Sequence, residues 1–320
     1  MTRLNRILLA LLALAVPLSL LAGRVWLDPL ADLPANALII ITELRLPRAV
    51  LALLVGGGLG AAGAAMQGYL RNPLADPGLF GIAPGAALGA VLSLWTGLAA
   101  QPWTLPGFAL IGAGAAMALL ALIAGRSGSV ILFTLAGMMI ASLAGALMSL
   151  AISLAPTPFA LSEIVTWLMG ALSDRSWNDV AIAAPLCLAG IVTLLAAGRA
   201  LDALTLGDEV ARSLGINPAR LRLLMIAGVG LTVGGSVAVA GIIGFVGLIV
   251  PHLVRPLTDG RPSQLLVPSV LAGALLLLIA DCLCRVLPLA GGELRLGIAL
   301  SLLGAPFFLR LLLRMRNGLA

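Results

Sequence analysis

The sequence predicts an all-α fold, a polytopic bundle of ten transmembrane helices in a single membrane domain over residues 1–320, and three observations carry that reading. Mean hydropathy is +1.14. Apolar runs near 20 residues recur from end to end, and a run of that length crosses a bilayer core of about 30 Å. The few charges, 10% of the chain, collect at the ends of those runs and divide unevenly between two sets of loops.

The first run, 7–22, follows Arg3 and Arg6 as a signal peptide's apolar region would. No A-x-A-like site follows it and further spans do, so it is expected to be a retained first span. Runs at 49–69, 78–97, 107–124, 130–153 and 180–198 come next. Between the fifth and sixth spans, LSEIVTWLMGAL (161–172) follows Pro156 and Pro158 and is too short to cross, which suits a short interfacial or re-entrant helix. From Leu223 to Val254 there are 32 residues without an acid or an arginine. As one helix they would measure roughly 48 Å, too long for one crossing and short for two. Gly234, Gly235 and Gly241 offer a break, giving a span near 223–240 and a shorter one near 242–255; runs at 266–288 and 296–314 complete the ten.

Ten spans put both termini on one side. Arg3, Arg6, Arg71, Arg126, Arg199, Arg212, Arg220, Arg222, Arg255, Arg261, Arg310, Arg314 and Arg316 then share the terminal side, with Arg24, Arg45, Arg48, Arg175, Arg285 and Arg295 opposite. The split is 13 against 6, and the positive-inside rule makes the termini cytoplasmic. With the acids included, the inside carries +8 and the outside −2. All five tryptophans, Trp26, Trp95, Trp103, Trp167 and Trp177, fall outside, where aromatic anchors sit at an interface.

All 19 basic residues are arginine. A chain without lysine has no Walker A motif and no Schiff-base lysine, so any ATP hydrolysis must come from another polypeptide. The net charge of +6 is a membrane-sidedness signal in this setting, and no nucleic-acid partner is expected. Cys187, Cys282 and Cys284 lie in apolar runs and behave as small hydrophobes. The single His252 excludes a multi-histidine metal cluster, and no metal site or cofactor is expected in this chain.

The stretch ALTLGDEVARSLGI (203–216) lies in the longest inner loop, 199–222. Gly207 precedes Asp208 and Glu209, acids that suit a helix N-terminus, and Gly215 offers a C-terminal cap. Val210, Ala211 and Leu214 are expected on one side, Asp208, Glu209, Arg212 and Ser213 on the other. Pattern alone leaves two readings open, a helix resting on headgroups and a docking helix for a soluble motor. Elsewhere, Arg45 and Arg48 sit three apart around Pro47, so that both guanidiniums could face the outer surface. Gly137, Ala141, Gly145 and Ser149 form a small-residue stripe that permits close helix approach, with Met138, Met139 and Met148 as a soft apolar wall nearby. Asn72, Pro73, Asp76 and Pro77 make a turn-rich connection.

ELRLPRAVLALLVGGGLGAAGAAMQGYLRNPLADPGLFGIAPGAALGA (43–90), GFVGLIVPHLVR (244–255) and LGAPFFLRLLL (303–313) together resemble the FecCD-type permeases, membrane subunits of ABC importers for ferric siderophores, haem and cobalamin. The resemblance runs from about residue 40 to the C-terminus and implies a BtuC-like ten-helix subunit of the bacterial inner membrane. It implies pairing with a second permease copy around a shared pathway, two ATPase subunits below that bind ATP and Mg, and a periplasmic substrate-binding protein above. Under it Leu206, Gly207, Asp208, Glu209, Val210, Ala211, Arg212, Leu214 and Gly215 form the ATPase-coupling loop. Arg45, Arg48 and Arg285 would receive glutamates of the binding protein. Gly137, Met138, Ala141, Ser142, Gly145 and Ser149 would line the pathway or dimer axis, and Asn72, Pro73 and Pro84 would shape the inner gate. His252 belongs to a structural turn of the family motif. The sequence departs from the family at Arg295, where proline is usual, and at Pro84, where a small polar residue is common. The rival class is an ion-coupled secondary transporter, which would carry ionisable groups near the midplane; a membrane-embedded enzyme lacks the histidine or carboxylate cluster it would need.

Overall fold

The computed structural model describes residues 2–23, 26–27, 36–101, 103–124, 129–287 and 292–319, and these contain helices and turns without a strand. In chain order the helices are α1 (Arg3–Leu21), α2 (Ala37–Leu70), α3 (Ile82–Trp95), α4 (Thr104–Ala124), α5 (Val130–Ser153), α6 (Pro158–Leu168) and α7 (Trp177–Ala196). They continue with α8 (Gly198–Leu204), α9 (Asp208–Ser213), α10 (Pro218–Ala240), α11 (Val246–Val254), α12 (Pro262–Val286) and α13 (Leu296–Leu319).

Two helices form the centre. About four-fifths of the most apolar stretch of α2 and of α10 is buried, against about a quarter for α4, α5, α7 and α13. Composition explains this: LVGGGLGAAGAAM in α2 and GVGLTVGGSVAVA in α10 are almost free of bulk, and between apolar helices close van der Waals packing takes over from the hydrophobic effect. A Cβ on Gly56 or Gly60 would collide with the carbonyl oxygen of Gly273 or Ser269, so α2 and α12 touch backbone to backbone. The same holds for Gly63 against Gly247 of α11, and for Gly85 against Gly112 between α3 and α4.

Eight helices are long and apolar enough to cross a membrane; α3 and α11 are shorter, with 14 and 9 residues. The sequence runs expected at 78–97 and 242–255 are therefore only partly helical. Residues 77–80 form a tight turn before α3, and 241–245 lie between α10 and α11 without helical structure. Of the three glycines expected to break 223–254, only Gly241 does so, at φ +69. Gly234 and Gly235 stay inside α10, where their missing side chains admit Ala113 and Leu186. The short helix after the fifth span is α6, starting three residues earlier than expected and ending at Leu168.

The helices share two ends. The arginine-rich end holds the starts of α1, α5, α10 and α12 together with α8 and α9. Arg222, counted from sequence as a loop charge, is buried there: Nη1 donates to Ala124 O at 2.6 Å and Nε to the Tyr69 hydroxyl at 3.3 Å. A cation at the carbonyl end of α4 complements that helix dipole. At the tryptophan-rich end Trp95 donates to Leu154 O and Trp177 to Thr42 O, each at 3.0 Å. Trp167 is the exception among the expected interfacial anchors, packing half-buried against the core. Arg24, Asp28, Asp32 and Arg126, all used in the side count, lie outside the described residues.

Candidate functional sites

At the arginine-rich end, α8 and α9 form a bracket across the bundle. Asp202 ties it to α12, accepting from Ser263 N at 2.8 Å and from its hydroxyl at 2.5 Å. Asp208, at the positive end of α9, accepts from Arg71 at 3.0 Å. Gly207 at φ +105 and Gly215 at φ +83 bound α9, conformations that L side chains rarely adopt. The expected sidedness of α9 needs one correction. Ala211 turns into the bundle beside Leu204 and Leu221, whereas Val210 and Leu214 face away from it. Leu206, Val210 and Leu214 are 63%, 43% and 60% exposed at four-residue intervals. Glu209 and Arg212 stand exposed beside them, so the outward face is apolar with a charged border.

At the tryptophan-rich end, the first part of α2 departs from α geometry: Ile40–Arg45 is a π-helical turn, a rare form that re-aims side chains. It directs Arg45 over Gly23, where Nη1 donates to Leu20 O and Leu21 O at 2.8 Å each, the free carbonyls of α1. Arg48 donates through Nε to Asp281 Oδ1 and Oδ2 at 2.9 and 3.0 Å, and its Nη2 lies 2.8 Å from Oδ1. Its Nη1 lies 2.8 Å from Glu293 Oε2. Arg285 Nε lies 3.2 Å from Asp281 Oδ2, and its Nη2 donates to Cys282 Sγ at 3.2 Å.

This corrects the expectation that Arg45 and Arg48 project outward. Arg45, Arg48 and Arg285 are all buried: the α1 carbonyls hold Arg45, while the fully buried Asp281 requires the cations of Arg48 and Arg285 beside it. The three do converge from two regions of the chain, on a concavity of about 570 Å³ also lined by Glu43, Asp174, Arg175 and Glu293. Asp281 and Glu293 were not among the residues expected at the docking site. The four-residue spacing of Asp281 and Arg285 was a visible signal; the partnership with Arg48, 233 positions away, was not.

Between these ends α5 shows an uncovered face. Met138, Leu143, Leu147 and Leu150 are exposed, as are Ser142 and Ser149. The small-residue stripe divides: Gly137 packs tightly on Phe80, while nothing lies within 4 Å of a Cβ placed on Gly145. Met138, Ala141 and Ser142 join Asn72, Leu74, Phe80 and Thr134 around a depression of about 380 Å³. An apolar depression of about 260 Å³ lies further along, lined by Leu88, Leu92, Trp95, Leu147 and Leu150. In the connection before α3, Asn72 Oδ1 accepts from Leu74 N at 2.9 Å and Asp76 Oδ1 from Gly78 N at 2.7 Å. Burial holds the Asp76 carboxyl above its ordinary range, partly offset by the Gly78 N–H. Pro73 sits in this turn, and Pro84 occupies the first turn of α3, where a missing N–H costs nothing. Arg295 donates to the Ser173 hydroxyl at 3.3 Å, joining α13 to the segment before α7.

His252 stacks edge-on against Phe307, ring centroids 5.6 Å apart. Beside it Arg255 donates to Gln67 Oε1 at 2.8 Å, binding α11 to α2. No group of three metal-binding side chains occurs among the described residues.

A polytopic bundle with an apolar bracket at one end and an arginine cluster at the other has close relatives. The vitamin B12 import system permease protein BtuC of Vibrio cholerae is 37% identical over 98% of this chain and 94% of its own. The hemin transport system permease protein HmuU of Yersinia pestis is 38% identical over 86% of this chain and 83% of its own. A solved structure, described as an inward-facing conformation and assigned by its description to the metal-chelate type of ABC transporter, superposes with a TM-score of 0.89. It is 33% identical and covers 97% of this chain and 98% of its own. The family model of the FecCD transport family matches residues 7–314, and the chain belongs to that family of ABC importer permeases.

Proposed function

We propose that this chain is the pore-forming half of a binding-protein-dependent importer that moves a bulky chelate, an iron siderophore, haem or a corrinoid, across the bacterial inner membrane. The observation that carries the reading is the exposed apolar face of Leu206, Val210 and Leu214, held at the arginine-rich end by the Asp202 and Asp208 contacts. An exposed apolar face with a charged border, held in place by such contacts, suits an interaction surface. Here they would seat a separate ATPase, which carries ATP and Mg, and pass its closure to α8 and through Asp202 to α12. Two copies would pair along α5, whose uncovered face and depressions suit a large ligand with much apolar surface. All ten segments would cross, both termini inside. The short α3 and α11 would then complete their passage with non-helical backbone buried by neighbouring helices, the condition on which a bilayer tolerates it. The arginine cluster would meet acids of a periplasmic binding protein. Family membership leaves the ion-coupled alternative without support.

Leu214→Glu tests this reading. A carboxylate forced into a docked apolar interface costs several kcal/mol, so the variant should insert normally and lose the ATPase on co-purification. Co-purification and uptake at the level of the unsubstituted protein would overturn the docking role of α9.

A further inference from the structure

The two carboxylates around Arg48 are not equivalent. Asp281 is fully buried, engages Arg48 through Nε and Nη2, and lies within an ion-pair distance of Arg285. It cannot leave without stranding two buried cations. Glu293 lies within ion-pair distance, 2.8 Å, of the remaining edge of the same guanidinium, Nη1, through an Oε2 that is buried yet makes no hydrogen bond among the described residues; its side chain as a whole is 29% exposed and it sits in the non-helical stretch before α13. Charge sharpens the contrast. The concavity is lined by Arg45, Arg48, Arg175 and Arg285 against Glu43, Asp174 and Glu293, with Asp281 beneath. Four cations face four anions, so an approaching acid meets a site with no net charge to offer. If Glu293 turns into solvent, the concavity gains one positive charge and the Nη1 edge of Arg48 is freed. Arg285 Nη1 supplies another donor, with no hydrogen-bond partner among the described residues.

We propose that Glu293 is a built-in competitor at the docking site: it occupies the edge of Arg48 that an acid of the binding protein would take, and yields to it. This rests on the docking reading of the arginine cluster given above. One carboxylate then replaces another on the same donor, so docking is held weak enough to reverse in each transport cycle, and Glu293 sets how weak.

The test uses the transporter with its ATPase subunits in nanodiscs and measures association of the importer's own labelled binding protein at low and high salt. Glu293→Gln keeps an oxygen for Arg48 Nη1 and removes the charge. It should tighten docking about threefold to tenfold and steepen the salt dependence. Arg48→Gln should weaken docking and abolish the gain when combined with E293Q. Arg48→Lys, which keeps a charge beside Asp281 but loses the second guanidinium edge, serves in its place if Arg48→Gln does not fold, and Glu293→Ala in place of E293Q. Weaker docking in the arginine variant with unchanged or weaker docking in E293Q would overturn the competitor role and leave the docking reading standing. Unchanged docking in both would overturn the docking reading and the competitor with it.

Discussion

Asp281→Leu removes the buried anion that two arginines share, and its cost can be worked out from the contacts. Arg285 is 4% exposed and would keep only the Cys282 sulfur as a described hydrogen-bond acceptor; Arg48, 9% exposed, would keep Glu293. Breaking a buried pair by removing one partner costs about 3 to 5 kcal/mol, and the Arg285 side is the closer match to that case. Asp281→Asn retains the shape and one accepting oxygen, so its loss should be about 1.5 to 3 kcal/mol, the worth of a hydrogen bond to a charged group. The informative variant is the triple one, Arg48→Met, Asp281→Leu and Arg285→Met. It leaves no charge buried at this point, and Glu293 can rehydrate, so stability should return to within about 1 kcal/mol of the starting protein. Reversible unfolding in mixed micelles, followed by tryptophan fluorescence, reads all three. An Asp281→Leu variant within about 0.5 kcal/mol of the unsubstituted chain, or a triple variant no better than the single one, would refute the account of Asp281 as the anion on which the cluster depends.

Gly60→Leu would drive a side chain into Ser269 O and should abolish the monodisperse peak in detergent chromatography, whereas Gly145→Leu meets open space and should leave the isolated subunit intact. If two copies pair along α5, the Gly145 variant should still elute as a folded protein and fail to dimerise in cross-linking. Arg71→Ala breaks an ion pair whose partners are 41% and 47% exposed, and thermal scans should show a loss of no more than about 1 kcal/mol. Asp76 has a raised folded-state pKa, so the folded protein holds its proton more tightly than the unfolded chain and stability falls as pH rises from the ordinary carboxylate range through the folded pKa. Asp76→Asn should flatten that slope and gain stability over the parent at the alkaline end of a pH series of melting temperatures; a parallel slope would remove Asp76 as its source.

What the sequence conveyed best was what depends on local pattern. The Gly241 break, the α9 helix between its glycines and the short α6 follow from turn chemistry and apolar spacing, which need no knowledge of neighbours. The errors have a common origin. Arg45, Arg48 and Arg222 were assigned to surfaces because isolated arginine belongs near water, yet each is buried by partners contributed from distant positions: carbonyls of α1 and α4, Asp281 and Glu293. Ala211 was grouped with Val210 and Leu214 by helical angle, though only packing against Leu204 and Leu221 decides which of them turns inward. The small-residue stripe of α5 was legible as a stripe. That Gly137 would be covered by Phe80 and Gly145 left open depends on where the segment before α3 passes, a long-range fact.

The contact of α2 with α12 has a mechanical consequence. Helices normally slide over one another by exchanging side-chain rotamers, a layer of soft matter a few ångströms deep. Between Gly56, Gly60, Ser269 and Gly273 that layer is missing, and main chain rests on main chain. Such a joint has no lubricant: it resists shear until the helices separate outright. A joint of this kind moves as one piece, so any bending of the bundle would be hinged elsewhere, with α2 and α12 forming a single strut between its two ends.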